Sequence, residues 1–360
     1  MKKVLIIAGI VIFTNVPFFS TAQEKSPADL NNKQEKDQVP PLKELYILKY
    51  KTDFSTLADQ YKDDLFPKSN TSTAIHFYRG ISLYRQGGYL ESIGDFKTAR
   101  LDTSINKPVC NFFLALCYMQ LNWHDSILGI CSSTLGVPAP ELMKQDYWNN
   151  TEFTREKVFI SYILGTYQLF QKPLDSILID ALFGFCTREQ KFLEAFYNYG
   201  TYCFNLGRYK KAIEMLLRVH DLKSAGDSII LLDLGYLYRL AGDNVQAMKS
   251  YDLLLSQQHS YMGYNNRGCL YAYMKNYSKA KSDLSAAVRK NNQGFEALFN
   301  RGLVYLKMLD YEHAAENFTS AIHIRTGFSD AYYYRGFALK AMGDYPNSVR
   351  DFTRALELRK

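Results

Sequence analysis

From residue 73 onward, apolar residues recur at helical spacing, and the pattern restarts about every 34 residues. The clearest copies are residues 261–294, 295–328 and 329–360. Their anchors are Gly268, Gly302 and Gly336, at spacings of 34 and 34. Earlier anchors are Gly80, Leu114, Gly165, Gly200 and Gly235, at spacings of 34, 51, 35 and 35, and then 33 to Gly268. One long interval in an otherwise steady series is the mark of an insertion in an array. Each copy is interrupted once, by Gly-Asp or a similar pair, which predicts two helices of about 13 residues joined by a tight turn. The anchor glycine falls where two helices cross closely. So do Ala212, Ala247, Ala280, Ala314 and Ser348, where a bulky group would force the axes apart. Phe96, Leu216, Tyr251, Leu284, Phe318 and Phe352 fill the next core layer. Tyr209, Tyr277, Tyr311 and Tyr345 follow the turn and are expected to lay their rings across the hairpin.

The period divides the chain. Residues 42–135 hold N-terminal helical repeats, of which 42–66 form a degenerate hairpin. Residues 136–157 (GVPAPELMKQDYWNNTEFTREK) are the insertion, and 158–360 are the C-terminal array. Pro138 and Pro140 stop the helix before the insertion. The remainder adds a short helix or lengthens its neighbours, and a surface loop is preferred to a hinge. The last helix carries Arg350, Asp351, Arg354, Glu357, Arg359 and Lys360, a charge that suits a solvated end cap.

The Gly of the first helix, the Tyr after the turn and two small residues of the second helix resemble the tetratricopeptide repeat. The later small residue is Ala99, Ala287, Ala321 or Ala355, depending on the copy. The match covers residues 73–106 and 193–360 best. It weakens over 107–135, where Leu114 replaces the Gly, and after Gly165. Ser92 and Ser348 stand where the family usually has Ala, and Arg79, Arg267, Arg301 and Arg335 precede the anchor where it more often has an apolar residue. The resemblance implies an all-α fold, a right-handed superhelical solenoid of stacked antiparallel helix hairpins. It also implies a concave groove lined by the first helices. By spacing from the anchors, the groove set is Phe77, Tyr84, Tyr162, Tyr197, Phe204, Tyr236, Tyr273, Phe299, Tyr333 and Phe337, with Arg85, Arg239, Lys307 and Lys340 interspersed. Aromatic anchors with scattered cations suit an extended peptide, and also a glycan. Packing between repeats competes for the same rings. The family's clamp for acidic peptide tails is not expected in the last three repeats. Asn300 sits at its middle Asn position, but Asn265, Cys269, Asp330 and Tyr334 supply no cation.

The front of the chain changes the expected compartment. Lys2 and Lys3, the uncharged run 4–13 and Ser20-Thr21-Ala22 read as a signal peptide over 1–22, cut before Gln23. That run is too short to span a bilayer, and Asn15 and Pro17 interrupt its extension. Residues 23–41 are polar and form a flexible tether. The expected location is the periplasm, or the secreted or cell-surface space, with no membrane span after cleavage. The formal charge of +7 falls by two with the leader, and the basic residues are scattered, so nucleic acid is not an expected partner.

Little points to catalysis. The six histidines show no i, i+4 pair and no Cys/His cluster, and no phosphate loop, dinucleotide fingerprint or GxSxG is present. No cofactor is expected. Cys110, Cys117, Cys131, Cys186, Cys203 and Cys269 mostly occupy core-type positions, and only Cys117 with Cys131 is a pair worth testing for a disulfide. The expected function is a non-enzymatic scaffold for an unidentified protein or peptide. The alternative is a glycan-binding or glycan-cleaving helical protein, which an acidic pair such as Glu194 with Glu296 in one pocket would favour.

Overall fold

The computed structural model describes residues 72–101, 107–171, 173–190, 192–222 and 228–359, together with a short antiparallel pairing of Ile6–Ile7 with Ile10–Val11. That pairing apart, the expected leader, the tether and the degenerate hairpin at 42–66 lie outside the described residues. From residue 72 on, the described residues are all-α.

Two compact units divide within one helix, between Tyr202 and Cys203. The first contains the hairpins α1 (Ser72–Arg85) with α2 (Tyr89–Ala99) and α3 (Lys107–Gln120) with α4 (His124–Leu135). The short helices α5 (Ala139–Leu142) and α6 (Gln145–Asn150) follow, then α7 (Arg155–Gln168) with α8 (Ser176–Cys186), and most of α9 (Leu193–Asn205). The second unit holds α10 (Tyr209–Leu222), α11 (Ser228–Leu240) with α12 (Asn244–Gln257), and α13 (Tyr261–Tyr273) with α14 (Tyr277–Lys290). It ends with α15 (Phe295–Lys307) and α16 (Tyr311–Ile324), then α17 (Ser329–Ala341) and α18 (Tyr345–Glu357). Here every helix packs on the next, and the first helices α11, α13, α15 and α17 also touch in succession. This is a solenoid of stacked hairpins.

The turn chemistry follows from backbone geometry. A left-handed residue recurs at Gly87, Asn122, Gly207, Gly242, Lys275, Leu309 and Gly343. Glycine reaches that conformation without cost, whereas a residue with a Cβ is strained there. The next residue caps the second helix: Asp243, Asn276, Asp310 and Asp344 each accept from a backbone N–H three residues on. Such a cap stabilises a helix by ~1 kcal/mol.

The anchors do what their spacing predicts. A Cβ on Gly302 would lie 2.7 Å from the Phe318 ring, and one on Gly268 would lie 2.8 Å from Leu284. Ala212, Ala247, Ala280 and Ala314 are fully buried, and Ser348 donates to the backbone oxygen of Gly336 at 2.8 Å. Of the tyrosines after the turn, Tyr209 reaches Phe204, with centroids 6.3 Å apart, but Tyr345 is exposed.

The arginines before the anchors are part of the packing. Each crosses to the residue 16 positions on in its own second helix. Arg79 binds Asp95 through Nε and Nη2 at 2.7 and 2.6 Å, Arg267 binds Asp283 at 2.7 and 2.9 Å, and Arg335 binds Asp351 at 2.7 and 2.7 Å. In the second unit the same guanidiniums reach back to the preceding second helix, Arg267 to Asp252 at 2.8 Å and Arg335 to Thr319 at 3.1 Å. They tie successive hairpins together. Asp351, expected as solvated end-cap charge, is accordingly buried.

In the first unit α7 packs directly on α3 and α4, stepping over the insertion, while α6 rests on α8. Trp148 of α6 is buried, donates to the Leu142 oxygen at 2.8 Å and meets the Phe185 ring edge-on at 5.4 Å. The insertion thus contributes a packed side chain and two short helices.

Candidate functional site

The ten rings selected by spacing separate into two groups. Phe77, Tyr84, Tyr162, Tyr197 and Phe299 are buried. Phe77 packs edge-on against Phe96 at 5.9 Å and Phe113 at 5.7 Å. Tyr162 meets Phe192 at 4.7 Å, and Phe299 meets Phe318 at 5.6 Å and Phe328 at 4.7 Å. Phe77, Tyr162 and Phe299 thus meet rings beyond their own hairpins, while Tyr84 meets Tyr89 of its own second helix at 5.5 Å, so these faces are already covered. The spacing rule cannot separate a ring turned to the next hairpin from one turned to solvent, because both recur at the same period.

The other five rings all belong to the second unit. Tyr273 is 57% exposed and Phe337 is 49% exposed. Phe204, Tyr236 and Tyr333 are half-buried. Phe204 and Tyr236 lie 6.0 Å apart, and the Arg239 guanidinium sits 5.6 Å over the Tyr236 ring. Tyr333 meets Phe352 at 5.7 Å and carries Arg359 at 5.5 Å. Of the interspersed cations, Arg85 and Lys340 are exposed, and Arg239 and Lys307 are half-buried. Tyr236, Tyr273 and Phe337 lie on α11, α13 and α17, first helices of a stacked series.

Spacing alone does not reveal a row of buried amides on the same helices. Asn300 Nδ2 donates to Asn265 Oδ1 at 3.0 Å, and Asn265 Nδ2 donates to Asn266 Oδ1 at 3.1 Å. One donor, Asn266 Nδ2, and one acceptor, Asn300 Oδ1, are left over at the ends of the row. Orphaned buried polar atoms cost roughly 1–3 kcal/mol each, and a bound water or a peptide group would satisfy both kinds. Nearby, the Tyr261 hydroxyl donates to Glu296 at 3.2 Å and accepts from the Ala297 N–H at 3.3 Å. Burial and the Glu296 charge hold its phenol well above the usual tyrosine range.

The remaining candidate chemistry is structural. All six cysteines are buried, and Cys117 and Cys131 form no disulfide with each other. Burial pushes the Cys110 thiol up to about 12 and the Cys117 thiol up to about 11. His76 shares Asp95 with Arg79, at 2.7 Å, and His313 contacts Asp310 at 2.8 Å. Glu194 is buried in the first unit, whereas Glu296 belongs to the second. Among the described residues no group of His, Cys, Asp and Glu is arranged to hold a metal ion, and no helix is long and apolar enough to cross a membrane.

Comparison with known proteins bears on the repeat. Residues 193–225 and 265–327 match models of the tetratricopeptide repeat. A crystal structure of MamA is 26% identical with a TM-score of 0.41, the alignment covering 44% of this chain and 94% of that one. The structure of MamA 41-end from Desulfovibrio magneticus RS-1 is 21% identical with a TM-score of 0.43, covering 48% and 96%. No curated protein matches the sequence. Two separate segments match the tetratricopeptide repeat and lie in a series of stacked hairpins of its period, so the chain carries tetratricopeptide repeats, which supports a protein-interaction scaffold in general.

Proposed function

We propose that the second unit is a non-enzymatic scaffold that holds an extended peptide segment of a partner protein along its first helices. The observation that carries this reading is the placement of Tyr236, Tyr273 and Phe337. They are large rings left partly or largely open on first helices of a stacked series, with Arg239, Lys307 and Lys340 among them. Burying a fully exposed ring is worth roughly 1.5–3 kcal/mol, and these are about half covered already, so two or three supply roughly 1.5–4.5 of the ~8 kcal/mol that a micromolar affinity represents. The cations favour a segment with carboxylates beside its apolar side chains. Their lysine stems add apolar area while the charged heads stay in water.

The test is selection of twelve-residue peptides displayed on phage against the full chain. Enriched peptides are then measured by fluorescence polarisation against wild type, Tyr273→Ala and Phe337→Ala. The reading expects at least a tenfold loss in each variant with unchanged helicity. Peptides that bind both variants as tightly as wild type would contradict it, as would a selection that enriches none.

We further infer that the scaffold works outside the cytoplasm, in the periplasm or at the cell surface. The basic start, short apolar run and small-residue site at 20–22 support this. N-terminal sequencing of the protein from its native source should begin at Gln23, and a chain that retains Met1 would count against export.

A further inference from the structure

The arginine series contains one member whose charge is not answered. Arg79, Arg267 and Arg335 each face an Asp across the hairpin. Arg301 stands at the same register on α15, but the residue 16 positions on is Asn317. Its Nε donates to Asn317 Oδ1 at 2.8 Å, and its Nη1 donates to the Ser285 hydroxyl at 3.3 Å. In the sister pairs Nη2 donates to the second carboxylate oxygen. Here the second terminal atom of Asn317 is Nδ2, a donor, and it is engaged with the His313 backbone oxygen at 2.7 Å. That bond fixes the orientation of the amide. Nη2 of Arg301 makes no hydrogen bond to any described residue.

The surroundings reinforce the asymmetry. Arg267 has Asp252 behind it, whereas Arg301 has the neutral Ser285. Arg301 is half-buried, and Asn317 beneath it is buried. Lys281, Ser285 and Arg289 are four residues apart along α14 and therefore share one face of that helix. Lys281 lies over the Tyr305 ring at 6.0 Å. Desolvation and the like charge of Arg289 both make the Arg301 cation less favourable than in water. Asp310, Glu312 and Glu316 lie on α16 and at its start. Asp310 is held by His313 at 2.8 and 2.9 Å, and Glu312 and Glu316 bias the same imidazole. None of them pairs with Arg301. A half-buried guanidinium with a free fork edge, a hydroxyl at its side and a second arginine nearby has the donor set of an oxyanion site.

We propose that Arg301, Ser285 and Arg289 form a site for an anionic oxygen group, a carboxylate or phosphoryl group, between the second helices α14 and α16. The bound group takes the place that an aspartate fills in the other hairpins. It binds on second helices, apart from the open rings of the first helices, so it gives the scaffold a second point of attachment. The group can arrive free in solution or on an acidic side chain of a partner.

The experiment is thermal unfolding of the full chain, followed by circular dichroism at constant ionic strength, with sodium chloride replaced stepwise by inorganic phosphate. A second arm adds hexaglutamate peptide. Wild type, Asn317→Asp and Arg301→Gln are compared. Asn317→Asp supplies the missing carboxylate, as Asp351 does for Arg335. The site predicts a wild-type rise of roughly 2–4 °C at saturating anion. It predicts that Asn317→Asp starts higher without anion and loses the response, and that Arg301→Gln loses the response too. A response to phosphate identifies a free ion as sufficient, and a response to hexaglutamate alone identifies an acidic partner. No response to either, or equal responses in wild type and Asn317→Asp, would overturn the proposal. Asn317→Asp keeps the test valid where Arg301→Gln fails to fold. Peptide binding at Tyr273 and Phe337 is measured separately, so either reading can fail alone.

Discussion

Substituting Gly302 with Ala tests a close helix crossing in the second unit. The added Cβ would lie 2.7, 2.9 and 3.0 Å from three carbons of the Phe318 ring. Carbon atoms prefer about 3.5–4.0 Å, so the ring must recede by roughly 0.5–1 Å. It has little room, since Phe318 is fully buried and meets Phe299 at 5.6 Å and Tyr334 at 6.1 Å. Overpacking of this kind costs about 1–3 kcal/mol. Alanine returns about 1 kcal/mol through its better helix propensity. The net expectation is a loss of ~0–2 kcal/mol, up to roughly thirtyfold in the local folded-to-open ratio. Gly94 in α2 isolates the propensity effect, because a Cβ there meets nothing within 4 Å. Gly94→Ala should gain about 1 kcal/mol. Repeat arrays open in parts, so each variant is read at its own hairpin by amide hydrogen exchange. Amides of α1 and α2 should slow in Gly94→Ala, and those of α15 and α16 should stay level or quicken in Gly302→Ala. Equal slowing in both variants would refute the close crossing.

Other outcomes follow from the same geometry. Leu309 is 70% exposed and holds φ 63°, so Leu309→Gly should raise stability by roughly 0.5–1 kcal/mol in urea denaturation, through relief of left-handed strain. Phe299→Ala should cost ~3–5 kcal/mol because that ring is core, whereas Tyr273→Ala and Phe337→Ala should stay within about 0.5 kcal/mol by the same measurement. Arg79 and His76 hold the Asp95 carboxyl below its ordinary range. The stability this adds is present above the usual carboxylate pKa of about 4 and is lost as pH falls through the lower folded value. Asp95→Asn should therefore flatten the acid limb of a stability–pH profile. Thiol labelling at pH 8 should be slow in the native chain and reach all six cysteines in guanidinium, since burial covers the thiols.

The period and anchors were legible because packing demands small residues at fixed points. Gly268 against Leu284 and Gly302 against Phe318 could be read from the letters. The turn was legible through Gly-Asp, and Lys275 and Leu309 show the same backbone where the glycine is absent. The arginines before the anchors looked like departures from the family pattern. Their meaning lay in a second column, the Asp 16 positions on, which only the folded hairpin brings alongside. The groove residues were half legible. Phe77 and Phe337 carry similar chemistry at related spacing, yet one is fully buried and the other open. What separates them is which neighbouring hairpin covers the ring, and a single period cannot encode that.

The proposed binding mode is tested most directly by amide hydrogen exchange of the full chain with and without a phage-selected peptide. Slowed exchange concentrated in residues 228–240, 261–273 and 329–341, the helices that carry Tyr236, Tyr273 and Phe337, is the predicted result. Protection confined to the second helices, or absent at saturating peptide, would contradict it.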